Sequence, residues 1–279
     1  MWGILGLSLL AGMSTPLGGW LVLQFRYLSK RILALVLGLT VGIMTTVVLV
    51  DLMPTALKSG TSSRFFIGFF SGVAFLWVIR QVIDKLADKQ DTDGDAAVFY
   101  RMGWFIAIAI ALHDLPVGIA IGAGNAVEHE VGLLIALAIA FHNIPEGMSI
   151  AAPLRLAGMP KRKIFWMTFW TGWVTPLGTL CSLGLFSIST SFVSLTLSFA
   201  SGAMMYVVGH DILPQSIVQS KLFTLLGAIF GVALMVLMHQ LHVYPPIRVS
   251  ATAIGSGTLT QTGAGIVIAI AMSIAPSNL

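Results

Sequence analysis

The sequence predicts an all-α integral membrane protein with eight transmembrane helices in a 3+2+3 arrangement, the first three repeated in inverted form by the last three. Three observations predict it. Of 279 residues, 57% are hydrophobic and only 9% charged, whereas a soluble domain carries about 25% charged residues to keep its surface wet. Apolar stretches long enough to cross a bilayer recur eight times. A segment near the start also returns about 160 residues later in the chain. The mean hydropathy of +0.93 agrees, so most of the exterior must face lipid. The net charge of +4 does not call for nucleic acid, because the basic residues cluster in short loops between apolar runs. The single cysteine, Cys181, lies in an apolar run and can form no intrachain disulfide.

Crossing the hydrocarbon takes about 20 predominantly apolar residues. The qualifying spans cover roughly 2–25, 32–57, 65–84, 102–126, 131–154, 164–187, 192–217 and 222–241. The first begins MWGILGLSLLAG, with no basic residue ahead of its apolar run, and so reads as a helix rather than a cleaved leader. The longest interruption, 85–101, is acidic and polar and reads as a mobile loop. Its run Asp91-Thr92-Asp93-Gly94-Asp95 imitates a calcium loop, but Ala96 stands where such a loop needs glycine and no glutamate follows at the twelfth position. No linker resembles a domain boundary, so residues 1–242 form one transmembrane domain. After Pro245-Pro246 the apolar run Ala264 to Ala275 is too short to span, and residues 243–279 read as a flexible tail.

Loop charge orients the chain. With the N-terminus outside, the cytoplasmic loops hold Arg26, Lys30, Arg31, Arg80, Lys85, Lys89, Arg101, Arg155, Lys161, Arg162, Lys163 and Lys221, leaving only Lys58, Arg64 and Arg248 on the other side. Such a bias places both termini outside the cytoplasm of a multi-pass cell-membrane protein.

The repeat starts at Thr15-Pro16-Leu17-Gly18, which returns as Thr175-Pro176-Leu177-Gly178. At the same offset Gly42, Met44, Val47, Val48, Asp51 and Pro54 return as Gly202, Met204, Val207, Val208, Asp211 and Pro214. Five spans separate the two starts, an odd number, so the second triplet enters the membrane from the opposite side. Inverted repeats of this kind belong to transporters. Spans 4 and 5 remain as the unrepeated centre.

There the chemistry concentrates. His113-Asp114-Leu115-Pro116-Val117-Gly118 in span 4 parallels His142-Asn143-Ile144-Pro145-Glu146-Gly147 in span 5. Residues four apart share a helix face, so His142 and Glu146 project together. Pro116 and Pro145 each free the carbonyl four residues back, which in lipid needs a hydrated cavity or a cation as partner. Ionisable groups at mid-membrane cost about 2.5–3.5 kcal/mol each on insertion scales. Asp51, His113, Asp114, His142, Glu146, His210 and Asp211 all fall there, and they need mutual pairing or a ligand. Imidazole with carboxylate is the donor set for zinc and other first-row divalent ions. His210 is a weaker candidate, and His239 and His242 read as interfacial. Glu128-His129-Glu130, between spans 4 and 5, reads more simply as a solvated turn than as a metal-capturing mouth.

With these motifs the chain resembles the ZIP (Zrt/Irt-like) family of divalent metal transporters over about residues 1–242. His142-Asn143-Ile144-Pro145-Glu146-Gly147 matches that family's fifth-helix motif, and His113-Asp114-Leu115-Pro116-Val117-Gly118 is similar to its fourth-helix motif. The resemblance implies eight helices in a three-two-three arrangement, both termini outside, and a metal site between helices 4 and 5. It implies His113, His142 and Glu146 as the primary site, with Asp114 and Asn143 as a truncated secondary one. Two positions depart from the pattern. Val117 and Thr175 stand where the family commonly has glutamates, so one bound metal is expected rather than a pair.

The expected activity is transport, not catalysis. A divalent ion sheds water, binds His113, His142 and Glu146 with help from Asp114 or Asn143, and leaves towards the cytoplasm, with Asp51, His210 and Asp211 as pathway residues. Zinc leads the expected cargoes, and Fe2+, Mn2+ or Cd2+ suit the same ligands. No nucleotide-binding motif appears, so a gradient would drive the movement. Lipid and the metal are the expected partners, with no nucleic acid, and the sequence leaves room for a homodimer. Two alternatives stay open: a metal-binding family member that does not transport, and a zinc-dependent intramembrane hydrolase, the latter without an HExxH motif.

Overall fold

A computed structural model describes residues 2–25, 27–87, 94–127, 129–184 and 190–240. The described residues are helical, with no strand among them. In chain order the helices are α1 (Trp2–Gln24), α2 (Lys30–Thr46), α3 (Met53–Lys58), α4 (Ser62–Ala87), α5 (Asp95–Val127), α6 (His129–Leu156), α7 (Lys161–Gly172), α8 (Val174–Gly184), α9 (Thr190–Val207), α10 (Leu213–Gln219) and α11 (Lys221–Gln240). A helical segment overlies each apolar stretch of the sequence. By length and composition, five reach across a membrane: Gly3–Gln24, Lys30–Lys58, Ser62–Val82, Ala96–Ile119 and Lys221–Met238. Of the other readings, Asp91 to Asp93, Glu128, His242 and the tail lie outside the described residues, as do the side chains of His129, Glu130 and His239.

Prolines account for the interruptions. Between α2 and α3, Val47–Leu52 forms a π-helical turn, and Val208–Ile212 forms another between α9 and α10. The N–H of Met53 bonds to the Val48 carbonyl, and that of Leu213 to the Val208 carbonyl, each five residues back. Pro54 and Pro214, one residue on, have no N–H to continue the ordinary ladder, and the helix widens ahead of them. Asp51 and Asp211 sit inside these turns. The sixth apolar stretch, read from sequence as one helix, divides at Trp173 into α7 and α8. Pro176 cannot donate to the Gly172 carbonyl, and the helix breaks at that point.

Helices α5 and α6 pack together at the centre, α1 lies against α6, and α8 lies against α5. Outside them α11 packs on α2 and α9 packs on α4. Glycines set these approaches. A Cβ at Gly147 of α6 would meet the Thr15 carbonyl of α1, and one at Gly118 of α5 would meet the Thr175 carbonyl of α8. Gly18 of α1 meets the Ile144 backbone, while Gly178 of α8 meets the Leu115 carbonyl. In the flanking pairs, Gly227 and Gly231 press on the Leu35 and Leu39 carbonyls, and Gly68 and Gly72 on those of Leu195 and Phe199. Each contact in one half has its counterpart in the other: the α1 and α8 positions differ by the 160 residues of the sequence repeat, and the glycines of α4 and α11 by 159. Small residues at such crossings let backbones touch, which is how helices gain packing energy in lipid.

The distribution of polarity is that of a membrane protein. Phe66, Phe70, Leu222, Ile229 and Phe230 are exposed, while Ser8, Thr15, Asp114, Asn143, Glu146 and Ser201 are fully buried. Buried hydroxyls find carbonyls: Ser201 donates to Leu197 at 2.8 Å, and Thr46 to Gly42 at 2.8 Å. Thr179 of α8 donates to the Gly118 carbonyl of α5 at 2.8 Å, and Thr40 of α2 to the Pro145 carbonyl of α6 at 3.1 Å. These last two bonds tie the flanking helices to the proline-bearing segments of the central pair.

Candidate metal centre

The two histidine-proline segments face each other across the α5–α6 contact. The His113 and His142 rings lie 6.4 Å apart, centroid to centroid. One ligand atom each from His113, His142 and Glu146 falls within 4.8 Å of the other two, and all three residues are buried. His113 Nε2 approaches Glu146 Oε1 at 3.6 Å. In a tetrahedral zinc site with bonds of about 2.0–2.1 Å, donors lie about 3.3 Å apart. The His113–Glu146 pair is therefore close to the separation that a bound ion imposes.

Hydrogen bonding leaves the donors facing inward. His113 Nδ1 lies 3.1 Å from the Ile110 carbonyl, one turn back. A carbonyl can only accept, so in the neutral ring Nδ1 carries the hydrogen and Nε2 presents its lone pair. That lone pair and both Glu146 oxygens are buried and have no hydrogen-bond partner. Two electron-rich atoms 3.6 Å apart repel unless a proton or a cation lies between them. Buried polar atoms are otherwise almost always satisfied. A backbone-anchored imidazole with its second nitrogen turned towards a carboxylate is the usual arrangement of a metal ligand.

The remaining candidates divide. Asp114, fully buried, lies beside the cluster, its Oδ1 3.6 Å from His113 Nδ1. The Thr175 hydroxyl of α8 lies against the Asp114 carboxyl, although outside strict hydrogen-bond geometry. Asn143 donates its amide N–H to the Ala11 carbonyl of α1 at 3.0 Å, and its Oδ1 is left without a partner. Asp51 is buried in the first π turn. Asp211 is held elsewhere, in an ion pair with Arg80 of α4. His210, its side chain 53% exposed, lies 3.2 Å from the other Asp211 oxygen and stacks on Tyr206 at 5.1 Å. His210 and Asp211 thus form a second polar cluster with Arg80, whose guanidinium also lies over the Phe105 ring at 5.2 Å.

Sequence reasoning counted Arg80 as a loop charge and missed it as the partner of Asp211. One signal pointed that way: Arg80 follows an unbroken apolar run from Val73 to Ile79 and lies inside the span 65–84. Thr175 was legible only as a departure from a family pattern, and its contact with Asp114 required the α5–α8 packing.

The family model described as ZIP Zinc transporter matches residues 83–239. A protein named Zinc transporter ZupT from Chlorobium luteolum is 37% identical over 251 residues, covering 83% of this chain and 94% of its own length. One of the same name from Corynebacterium glutamicum is 33% identical over 250 residues, covering 82% and 95%. A third, from Streptococcus mutans, is 29% identical over 228 residues, covering 75% and 86%.

Proposed function

The chain belongs to the ZIP zinc transporter family, and we propose that it moves zinc towards the cytoplasm through the cluster of His113, His142 and Glu146. Members of this family are transporters rather than enzymes, which answers the hydrolase alternative. The observation that carries the site is the convergence of three buried donors from two proline-bearing helices, with His113 Nε2 and Glu146 left unsatisfied. A dehydrated divalent ion supplies what both lack. Asp114 brings a second negative charge close enough to balance the ion, and Asn143 offers an oxygen. Val117 and Thr175 add no charge, so the site holds one metal. The donors suit Fe2+, Mn2+ and Cd2+ as well, and zinc is favoured because the similar proteins are named for it.

The loop charge bias supports both ends of the chain lying outside the cytoplasm. The matching helix contacts in the two halves support eight crossings in a 3+2+3 order. In this reading the two triplets rock against α5 and α6, and the ion leaves past the polar residues Asp51, His210 and Asp211. Reconstituted vesicles provide the test. Wild type should take up zinc down its gradient, and Glu146→Gln and His142→Ala should reduce uptake at least about tenfold, the cost of roughly 1.4 kcal/mol of binding energy. Uptake at the wild-type rate in both variants would sink the site assignment. Zinc binding by wild type without any uptake would make the chain a non-transporting member of its family.

A further inference from the structure

A cavity of about 920 Å³ lies between α5, the turn at 157–160 and α7. Tyr100, Trp104, Ala107, Ile108 and Ala111 form one stripe of α5, and Lys163, Trp166, Met167, Trp170 and Thr171 form the facing stripe of α7. From Tyr100 to Ala111 the helix rises about 16 Å. This is the depth of one leaflet, half of the roughly 30 Å hydrocarbon. The deep end, two residues short of His113, offers no free donor, because the Thr171 hydroxyl is bonded to the Met167 carbonyl at 2.9 Å. At the other end stand Arg162 and Lys163, both exposed. Neither makes an ion pair within the described residues. Helix α7 begins here with no acidic residue in its first turn, so its positive dipole end adds to the two side chains.

We propose that this groove holds an anionic phospholipid, with its headgroup against Arg162 and Lys163 and an acyl chain along Trp104, Ile108 and Met167. Charge complementarity selects the occupant. Two exposed cations at the membrane–water interface, unpaired among the described residues, call for an anion, and basic pockets between membrane helices take acidic headgroups. Tyr100, at the end of the groove with the two cations, sits where interfacial Trp and Tyr sit. A second copy of the chain docking by two-fold symmetry would bring its own Arg162 and Lys163 to the same patch, setting like charge against like. The inference goes beyond metal transport and does not depend on which residues hold the ion.

Native mass spectrometry of the purified full chain tests it, after equilibration with equimolar phosphatidylglycerol and phosphatidylcholine. Wild type should retain phosphatidylglycerol in preference. The double variant Arg162→Gln/Lys163→Gln should retain it about thirtyfold less, as expected for two cations facing an anionic headgroup. Lys161→Gln/Lys221→Gln makes the same charge change outside the groove and should keep the preference. Ile108→Trp, which fills the groove without altering charge, should lose the bound lipid. Melting temperatures check that every variant is folded, and zinc binding should be unchanged throughout. Equal retention of the two lipids by wild type would overturn the proposal, as would equal losses in the two charge variants. A change of oligomeric state in the groove variants, with lipid retention unaltered, would make the groove a subunit contact and overturn it as well.

Discussion

Gly147→Ala tests the link between backbone packing and the metal centre. A Cβ at this position would overlap the Thr15 carbonyl oxygen, lie 2.7 Å from its carbon and 3.0 Å from the Gly19 nitrogen. Ordinary carbon contacts are about 3.5–4.0 Å, and all three atoms are backbone, so α1 must withdraw by about 1 Å. Overpacking of this kind costs about 1–3 kcal/mol. Alanine recovers up to about 1 kcal/mol of helix propensity over glycine, which leaves a net loss of about 1–2 kcal/mol. The site is affected as well, because Glu146 is the neighbouring residue and Asn143 is anchored to α1 through the Ala11 carbonyl. Metal ligands tolerate misplacement of only about 0.2 Å, so zinc affinity should fall by about tenfold or more. Gly6→Ala is the control, since it lies on α1 with nothing within 4 Å of a new Cβ. The assays are detergent melting temperature and zinc titration of the purified protein. Gly6→Ala should melt at or slightly above wild type, and Gly147→Ala well below it. If the two variants melt and bind zinc alike, the close approach of α1 to α6 does not hold the site.

Two further outcomes follow from neighbouring residues. Val117→Glu places a carboxylate one turn from His113, in a buried position; elemental analysis should find bound zinc rising from one per chain towards two, with metal-free stability reduced. Arg80→Met strands the buried Asp211 carboxylate, and His210 at 3.2 Å compensates only in part, so a loss of about 2 kcal/mol is expected, below the range for a fully buried pair. Arg80→Met/Asp211→Leu should recover most of it, and a double variant as unstable as the single one would show that the ion pair is not the cause.

Much of this was legible because it is local. Pro54 and Pro214 stand in the sequence as repeat partners within spans read as continuous, and the structure adds a π turn enclosing an aspartate ahead of each. The four-residue spacing of His142 and Glu146 settled their shared face before any packing was known. The 160-residue repeat has its counterpart in paired contacts, which appear in Gly18 with Gly178 and in Thr15 with Thr175. The single helix expected over 164–187 is the counter-example. There Pro176 divides α7 from α8 at Trp173, while Pro16, its repeat partner, sits inside an unbroken α1. The same proline signal thus has two outcomes, and the neighbouring helices decide between them.

By itself, the sequence determined the solvent, the helices and the residue types able to bind a metal, because composition, periodicity and proline chemistry act within one segment. Only the tertiary structure decided which ionisable groups share a partner. His113 and Glu146 lie 33 positions apart and Arg80 and Asp211 lie 131 apart, and no periodicity relates such distances. The first meeting depends on how closely glycines let α1, α5, α6 and α8 approach, and the second on the glycine contacts between α4 and α9; that geometry sends Glu146 to the histidines and Asp211 to an arginine.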